Sequence, residues 1–324
     1  MAKYLTPVLI LVVAVLAVAL AVKGGEIVTG MTVAESHPST FSVTGANVAP
    51  TITTPVCYQT TGTEGALGSI TLIGNDTVTI VCNATVTDDN GCGDWNASEG
   101  SSARTGVLYK DTEGNSCSPT NQDCYQNASC SPVGSCTGTG DVSQVVECSF
   151  TVQYNADNTT GDGWGGYIQV TDSAAAHDED ADETVDVGAL LAIHVDHTLD
   201  LGSVAAGTDQ STCAVDHSTW NYGNVQIDLQ LNGSALDCPS PYTDIPVAKL
   251  HFNCTDDDAF YGNQSTVLTG TPSSTNCTSF DLAKSSTSSG TPTASTDKTY
   301  WGVGVPAGSG GTCTGTIHFT AIAG

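Results

Sequence analysis

The sequence predicts a mainly β protein, with an N-terminal apolar α-helix followed by two tandem β-sandwich domains. Three observations carry that prediction. One long aliphatic run stands near the N-terminus, apolar and polar residues alternate strictly beyond it, and 13 cysteines occur in a chain with few cations. At 324 residues the chain has room for two domains of ordinary size.

The helix comes first. From Leu5 to Val22 only Thr6 is polar, and Pro7 is the one break in the aliphatic run. Thr6 suits the N-cap, Pro7 the first helical position, and Lys23-Gly24-Gly25 supplies a cation and a stop. At about 1.5 Å per residue such a helix is roughly 27 Å long, close to the hydrocarbon thickness of a bilayer. It is apolar all round, so it needs partners on every side. Ala14, Ala17 and Ala21 lie on one side at helical spacing, where small residues let helices approach closely. Three readings compete: a cleaved signal peptide, a retained membrane anchor, and a helix that sits first in a membrane and then in a filament core. The domain plan is therefore an apolar helix over residues 1–24 and a small, polar linker over 25–45.

Beyond the linker the period switches to two. Val78, Ile80, Cys82, Ala84 and Val86 alternate with polar residues, as do Val146, Cys148, Phe150, Val152 and Tyr154. Val225, Ile227, Leu229 and Leu231 follow, then Leu250, Phe252 and Cys254, and finally Ile317, Phe319 and Ala321. These are half-buried antiparallel strands. The acidic stretch His177 to Glu183 and the fresh apolar run Ala189 to Val195 place a boundary near Gly188. The first domain then covers 46–188 with 8 Cys, and the second covers 189–324 with 5. Ser285 to Thr296 reads as a loop of low complexity.

Charge excludes whole classes of partner. Seven Lys and Arg stand against 34 Asp and Glu, for a net charge of -27. Such a chain cannot neutralise phosphates, so nucleic acid is excluded as a partner, and a polybasic membrane patch with it. The cysteines and the Gly, Ser and Thr content argue for an oxidising, extracellular setting on the cell surface.

No motif names a reaction. Gly-x-Ser-x-Gly, His-Glu-x-x-His, a phosphate loop and Cys-x-x-Cys-His are all missing, and the protein is expected not to be an enzyme. His194, Asp196 and His197 cannot converge on one strand face without a bulge, so they read as a surface group. Cys117, Cys124, Cys130 and Cys136 have no compact zinc spacing and read as disulfide cysteines. Cys254 and Cys277 bracket a sequon-rich excursion and form the preferred internal pair of the second domain. Its five cysteines leave at least one free, or bonded to the first domain or to another chain.

Nine Asn-x-Ser/Thr sequons mark Asn75, Asn83, Asn96, Asn127, Asn158, Asn232, Asn253, Asn263 and Asn276. Asn83 and Asn253 fall on the outward phase of their strands, where a glycan has room. No cofactor is expected except Ca²⁺. Its candidate ligands are Asp178, Asp180, Asp182 and Glu183, set against the plainer reading of a solvated linker. Asp88-Asp89-Asn90 and Asp256-Asp257-Asp258 are weaker versions of the same pattern.

Some stretches carry a resemblance. Tyr300 to Gly308, followed by Gly311 to Ala321, resembles a recurrent ending of Ig-like modules in archaeal surface proteins. Leu199 to Gly207 and Asn221 to Val225 look like the opening strands of the same module, over about 130 residues in all. Cys313 stands where such modules often have an aromatic residue, which hints at an added disulfide. Val86 to Gly91 and Trp164 to Asp172 look like another archaeal surface β-sandwich. Thr6-Pro7-Val8 before the aliphatic run is similar to archaeal type IV pilin and archaellin N-termini, although no Lys-Gly or Arg-Gly processing site precedes it.

The resemblance implies two Ig-like sandwiches, with Cys82 and Cys148 forming an inter-sheet bridge between inward-facing positions. It also implies a structural subunit of an extracellular archaeal filament, a homo-oligomer assembled through Pro7, Ala14, Ala17 and Ala21 after passage through the membrane. The rival expectation is a membrane-anchored surface glycoprotein, an adhesin or S-layer component. A secreted glycan-binding or hydrolytic protein is the third.

Overall fold

The computed structural model describes residues 42–60, 68–96, 104–120, 122–127, 130–135, 140–158, 163–175, 177–210, 215–255, 265–272, 277–287 and 291–324. The segment expected to form the apolar helix, with Pro7, Ala14, Ala17 and Ala21, lies outside the described residues, as does most of the expected linker. Among the described residues no helix is long and apolar enough to cross a membrane. Residues 42–46 are exposed and have no regular secondary structure, and Asn47–Gly324 forms one compact unit.

That unit is built of strands. In chain order they begin with β1 (Thr51–Ile52), β2 (Val56–Gln59), β3 (Ser69–Ile70), β4 (Thr77–Thr87) and β5 (Arg104–Lys110). Next come β6 (Cys124–Asn127), β7 (Ser131–Val133), β8 (Ser143–Gln153), β9 (Trp164–Thr171) and β10 (His177–Val187). The second half opens with β11 (Ile193–Val195), β12 (Thr208–Asp209), β13 (Val215–Asn221), β14 (Ile227–Gly233) and β15 (Leu250–Asn253). It continues with β16 (Thr266–Val267), β17 (Cys277–Leu282), β18 (Ser286–Thr287), β19 (Pro292–Thr293), β20 (Ser295–Val305) and β21 (Ile317–Ala323). One short helix, α1 (Cys92–Asn96), follows β4.

In the first half, one sheet runs β1-β4-β8-β7 with β2 also paired to β4, and its partner runs β3-β10-β9-β5-β6. Their inner faces share one core. Val78, Ile80, Cys82, Ala84 and Val86 of β4 meet Leu108 of β5, Ile168 and Val170 of β9, and Val185 and Val187 of β10. The alternation read from the sequence is the alternation of burial, since neighbouring side chains on a strand point to opposite faces. In the second half, the order β11-β13-β20-β15-β16 faces a three-stranded sheet, β17-β14-β21. Leu229 and Leu231 of β14, Leu250 and Phe252 of β15, and Trp301 of β20 are fully buried between them. A small hairpin, β18-β19, makes the fifth sheet.

Two expectations need correction here. Cys82 and Cys148 are not bonded to each other. They face inward and stand directly opposite, but on β4 and β8, hydrogen-bonded neighbours in one sheet. Each reaches the other way, giving Cys57–Cys82 and Cys130–Cys148, so four cysteines form a row across the sheet. The facing sheet makes room with glycine. A Cβ at Gly106 would lie 2.8 Å from the Cys148 sulfur, and one at Gly166 would overlap the Cys57 and Cys82 sulfurs. The inter-sheet bridge occurs in the second half instead, where Cys254 follows β15 and pairs with Cys277 at the start of β17.

The acidic stretch His177 to Glu183 is also not a linker. It is part of β10, in antiparallel register with β9 from His177↔Thr171 to Asp182↔Gly166. Among the described residues β10 is a sheet edge over that stretch, since β3 pairs only with Asp186 and Val187. Charge on an edge strand discourages pairing with other chains, which accounts for so acidic a strand.

The two halves are joined by polar contacts. Asn224, almost fully buried, donates to the carbonyls of Ala156 and Gly188 at 2.9 and 3.0 Å and accepts from the Leu190 amide at 2.7 Å. Asp157 pairs with Lys284 and, at 3.5 Å, with Lys110.

Candidate functional site

The most unusual chemistry lies at one end of the first sandwich, where β4 and β9 finish on opposite sheets. Asp88 follows β4 directly and Asp172 follows β9. Asp94 sits on α1. One carboxylate oxygen from each of the three lies within 4.8 Å of the other two, and both Asp88 and Asp172 are buried.

Local turn chemistry fixes this arrangement. Asp88 Oδ1 accepts the Asn90 amide at 2.8 Å, and the Asp88 carbonyl accepts the Gly91 amide at 2.9 Å. Gly91 has φ +98°, a conformation open to glycine, and it turns the chain into α1. Asp172 Oδ1 accepts the Ala174 amide at 2.9 Å, and Oδ2 accepts from Asn47 Nδ2 at 2.7 Å. Ser173 Oγ donates to Asp94 Oδ1. The segment entering the sandwich is tied to the same place, for the Val48 amide donates to Asn90 Oδ1 at 2.7 Å.

The electrostatics are unfavourable as they stand. Asp88 is 1 % exposed, and its Oδ2 has no hydrogen-bond partner among the described residues. Burial first, and then the charges of Asp94 and Asp172, hold its carboxyl above the ordinary carboxylate value, against the Asn90 amide, which pulls it down. Three converging carboxylates offer only oxygen donors, the ligand type of hard divalent cations.

The Ca²⁺ candidates named from the sequence are placed differently. Asp178 Oδ2 accepts the Ile52 amide at 2.8 Å, joining β10 to β1. The side chains of Asp180, Asp182 and Glu183 lie outside what the structure describes, as do residues 256–258. Asp88 was among the weaker candidates, whereas Asp94 and Asp172 were missed. They come from different strand ends, so no linear spacing announces them. The signal that could have found them is two aspartates at the termini of two strands finishing at the same end of a sandwich.

Other residues named from the sequence range from exposed to buried. His194 is exposed, its ring 5.3 Å from Trp220 and 5.7 Å from His197. Asn75 is exposed in a turn, while Asn83, Asn127, Asn158, Asn232 and Asn253 are half-buried. The Asn96 side chain, Asn263 and Asn276 lie outside the described residues. Cys238–Cys313 is a second disulfide of that half, and Cys213 lies outside the described residues. Cys117–Cys124 closes a short loop, and Cys92 is disulfide-bonded as well.

The second sandwich carries a groove of about 1010 Å³, lined by Leu199, Leu201, Val204, His217, Ile317 and Phe319 among others. His217, missed in the sequence, is buried; its Nε2 donates to the Asp196 carbonyl at 2.9 Å, and its ring stacks on Phe319. No family model matches the chain, and no curated protein matches it.

Proposed function

We propose that this protein is the structural subunit of an extracellular, pilus-like filament. The helix from Pro7 to Val22 packs against helices of neighbouring copies, and the cross-linked β unit forms the exterior. One observation carries the reading: the sequence joins a run that is apolar all round to a disulfide-stapled all-β body. A helix laid on a single sandwich would bury one side only, whereas a bundle of copies buries all of it. At roughly 25 cal/mol per Å², that burial contributes tens of kcal/mol per subunit before entropy is subtracted.

Several features support the reading. Among the described residues, five disulfides have both partners in place, which suits an oxidising exterior. The sandwiches are read as Ig-like modules of the archaeal surface type, and among the described sequons exposed Asn75 is the best placed for a glycan. Cell adhesion is a natural role for such a homopolymer.

The test is Ala17→Asp in the helix. A charge inside a bundle of apolar helices is costly, so this variant is expected to lose assembly while its β unit keeps the wild-type circular dichroism. Normal filaments from Ala17→Asp would overturn the proposal. Wild-type protein found only as isolated molecules in membranes would favour the anchored surface glycoprotein instead.

A further inference from the structure

We propose that Asp88, Asp94 and Asp172 bind a Ca²⁺ ion that clamps the two sheets of the first sandwich together at the end where the chain enters it. The geometry fits one ion. Ca²⁺ takes oxygen ligands at about 2.3–2.6 Å, so two ligands on opposite sides of it stand roughly 4.8 Å apart. The three carboxylates lie within that span of one another. Mg²⁺, which keeps several of its waters, is usually bound through one or two carboxylates rather than three. With neither Cys nor His in the cluster, soft transition metals have no preferred donor here.

A second observation, independent of the clustering, points to a ligand. Asp88 is 1 % exposed, and while its Oδ1 is held by the Asn90 amide, its Oδ2 has no hydrogen-bond partner among the described residues. A buried carboxylate oxygen without a donor is costly, and the charges acting on it are those of Asp89, Asp94 and Asp172. A divalent cation removes both penalties at once. The turns already hold the ligands from behind: Asn90 on Oδ1 of Asp88, Ser173 on Oδ1 of Asp94, and Ala174 and Asn47 on Asp172. Such outer contacts orient ligating carboxylates.

The position gives the ion a role. Asp88 extends β4 of one sheet and Asp172 extends β9 of the other, so an ion between them bridges the sandwich. Asn47 and Val48, the first residues of the β unit, are tied to Asp172 and Asn90. Loading the site therefore fixes the start of the folded unit. This inference stands apart from the filament proposal, because it concerns only the first sandwich.

The experiment is calorimetric titration of the purified full chain with CaCl₂ after EDTA treatment, paired with thermal melts. The expected result is one saturable site and a melting temperature raised by several degrees at 10 mM Ca²⁺, with a much smaller rise at equal Mg²⁺. Asp88→Asn should weaken binding at least tenfold and remove the rise. In EDTA it should melt no lower than the wild type, since it deletes an uncompensated buried charge. Should Asp88→Asn fail to fold, Asp94→Asn on the half-exposed α1 replaces it. No saturable binding up to 10 mM, an equal effect of Mg²⁺ (general screening of the net charge), or undiminished binding by the variant would each overturn the proposal.

Discussion

The two sandwiches solve the same packing problem with different atoms. In the first, a row of four cysteines crosses one sheet, and the facing strands answer with Gly106 and Gly166. There the cross-links also fill the core. In the second, Trp301 and Phe252 fill the centre with ring centroids 5.3 Å apart; Cys254–Cys277 joins the end of β15 to the start of β17 at the core's edge, and Cys238–Cys313 links two segments between strands. The contrast teaches that a disulfide can replace a large side chain in a core layer. The opposite sheet must then give up its own side chains at that spot.

The largest effect should come from the second core. Trp301→Ala is expected to cost about 3–5 kcal/mol, by lost burial and the cavity left behind. Denaturant unfolding should show that loss equally with and without reductant. Next is the pair Cys57→Ala and Cys82→Ala together. Opening a loop of 25 residues should cost about 3–4 kcal/mol, read as a lower midpoint under oxidising conditions only. Gly166→Ala should cost about 1–3 kcal/mol, because its methyl meets sulfurs held by the bond. In the background lacking Cys57 and Cys82 that cost should vanish, and a double-mutant cycle measures the coupling. An additive result would break the comparison.

The smallest effect concerns pH. Burial first, with Lys249 adding and Asp209 opposing, holds the His251 imidazole below its ordinary value of 6.5. The unfolded chain therefore takes up this proton first as pH falls. Stability from this group is full above about 6.5 and declines as pH drops below it. Melting curves of His251→Gln between pH 7.5 and 5 should be flatter than those of the wild type; an identical slope would contradict the assignment.

Inward phase was legible in the sequence, and partnership was not. The period of two picked out Val78 to Val86 and Val146 to Tyr154 as strands with a buried face, and it marked Cys82 and Cys148 as inward. Periodicity does not distinguish a neighbour in the same sheet from a strand in the facing sheet. That is why the expected bridge gave way to bonds with Cys57 and Cys130. Acidic residues hid β10, because Asp and Glu are poor strand formers by propensity, and only pairing with β9 shows why the chain extends there. The aspartate cluster was half visible. Asp88 stood in a conspicuous Asp-Asp-Asn-Gly turn, but the strand ends that bring Asp172 beside it meet only in three dimensions.

Electron microscopy of the native surface material is the most direct test of the functional account. The account predicts regular filaments with a central bundle of apolar helices and the two-sandwich β units outside. Dispersed single molecules, or filaments whose core lacks the segment from Pro7 to Val22, would contradict it.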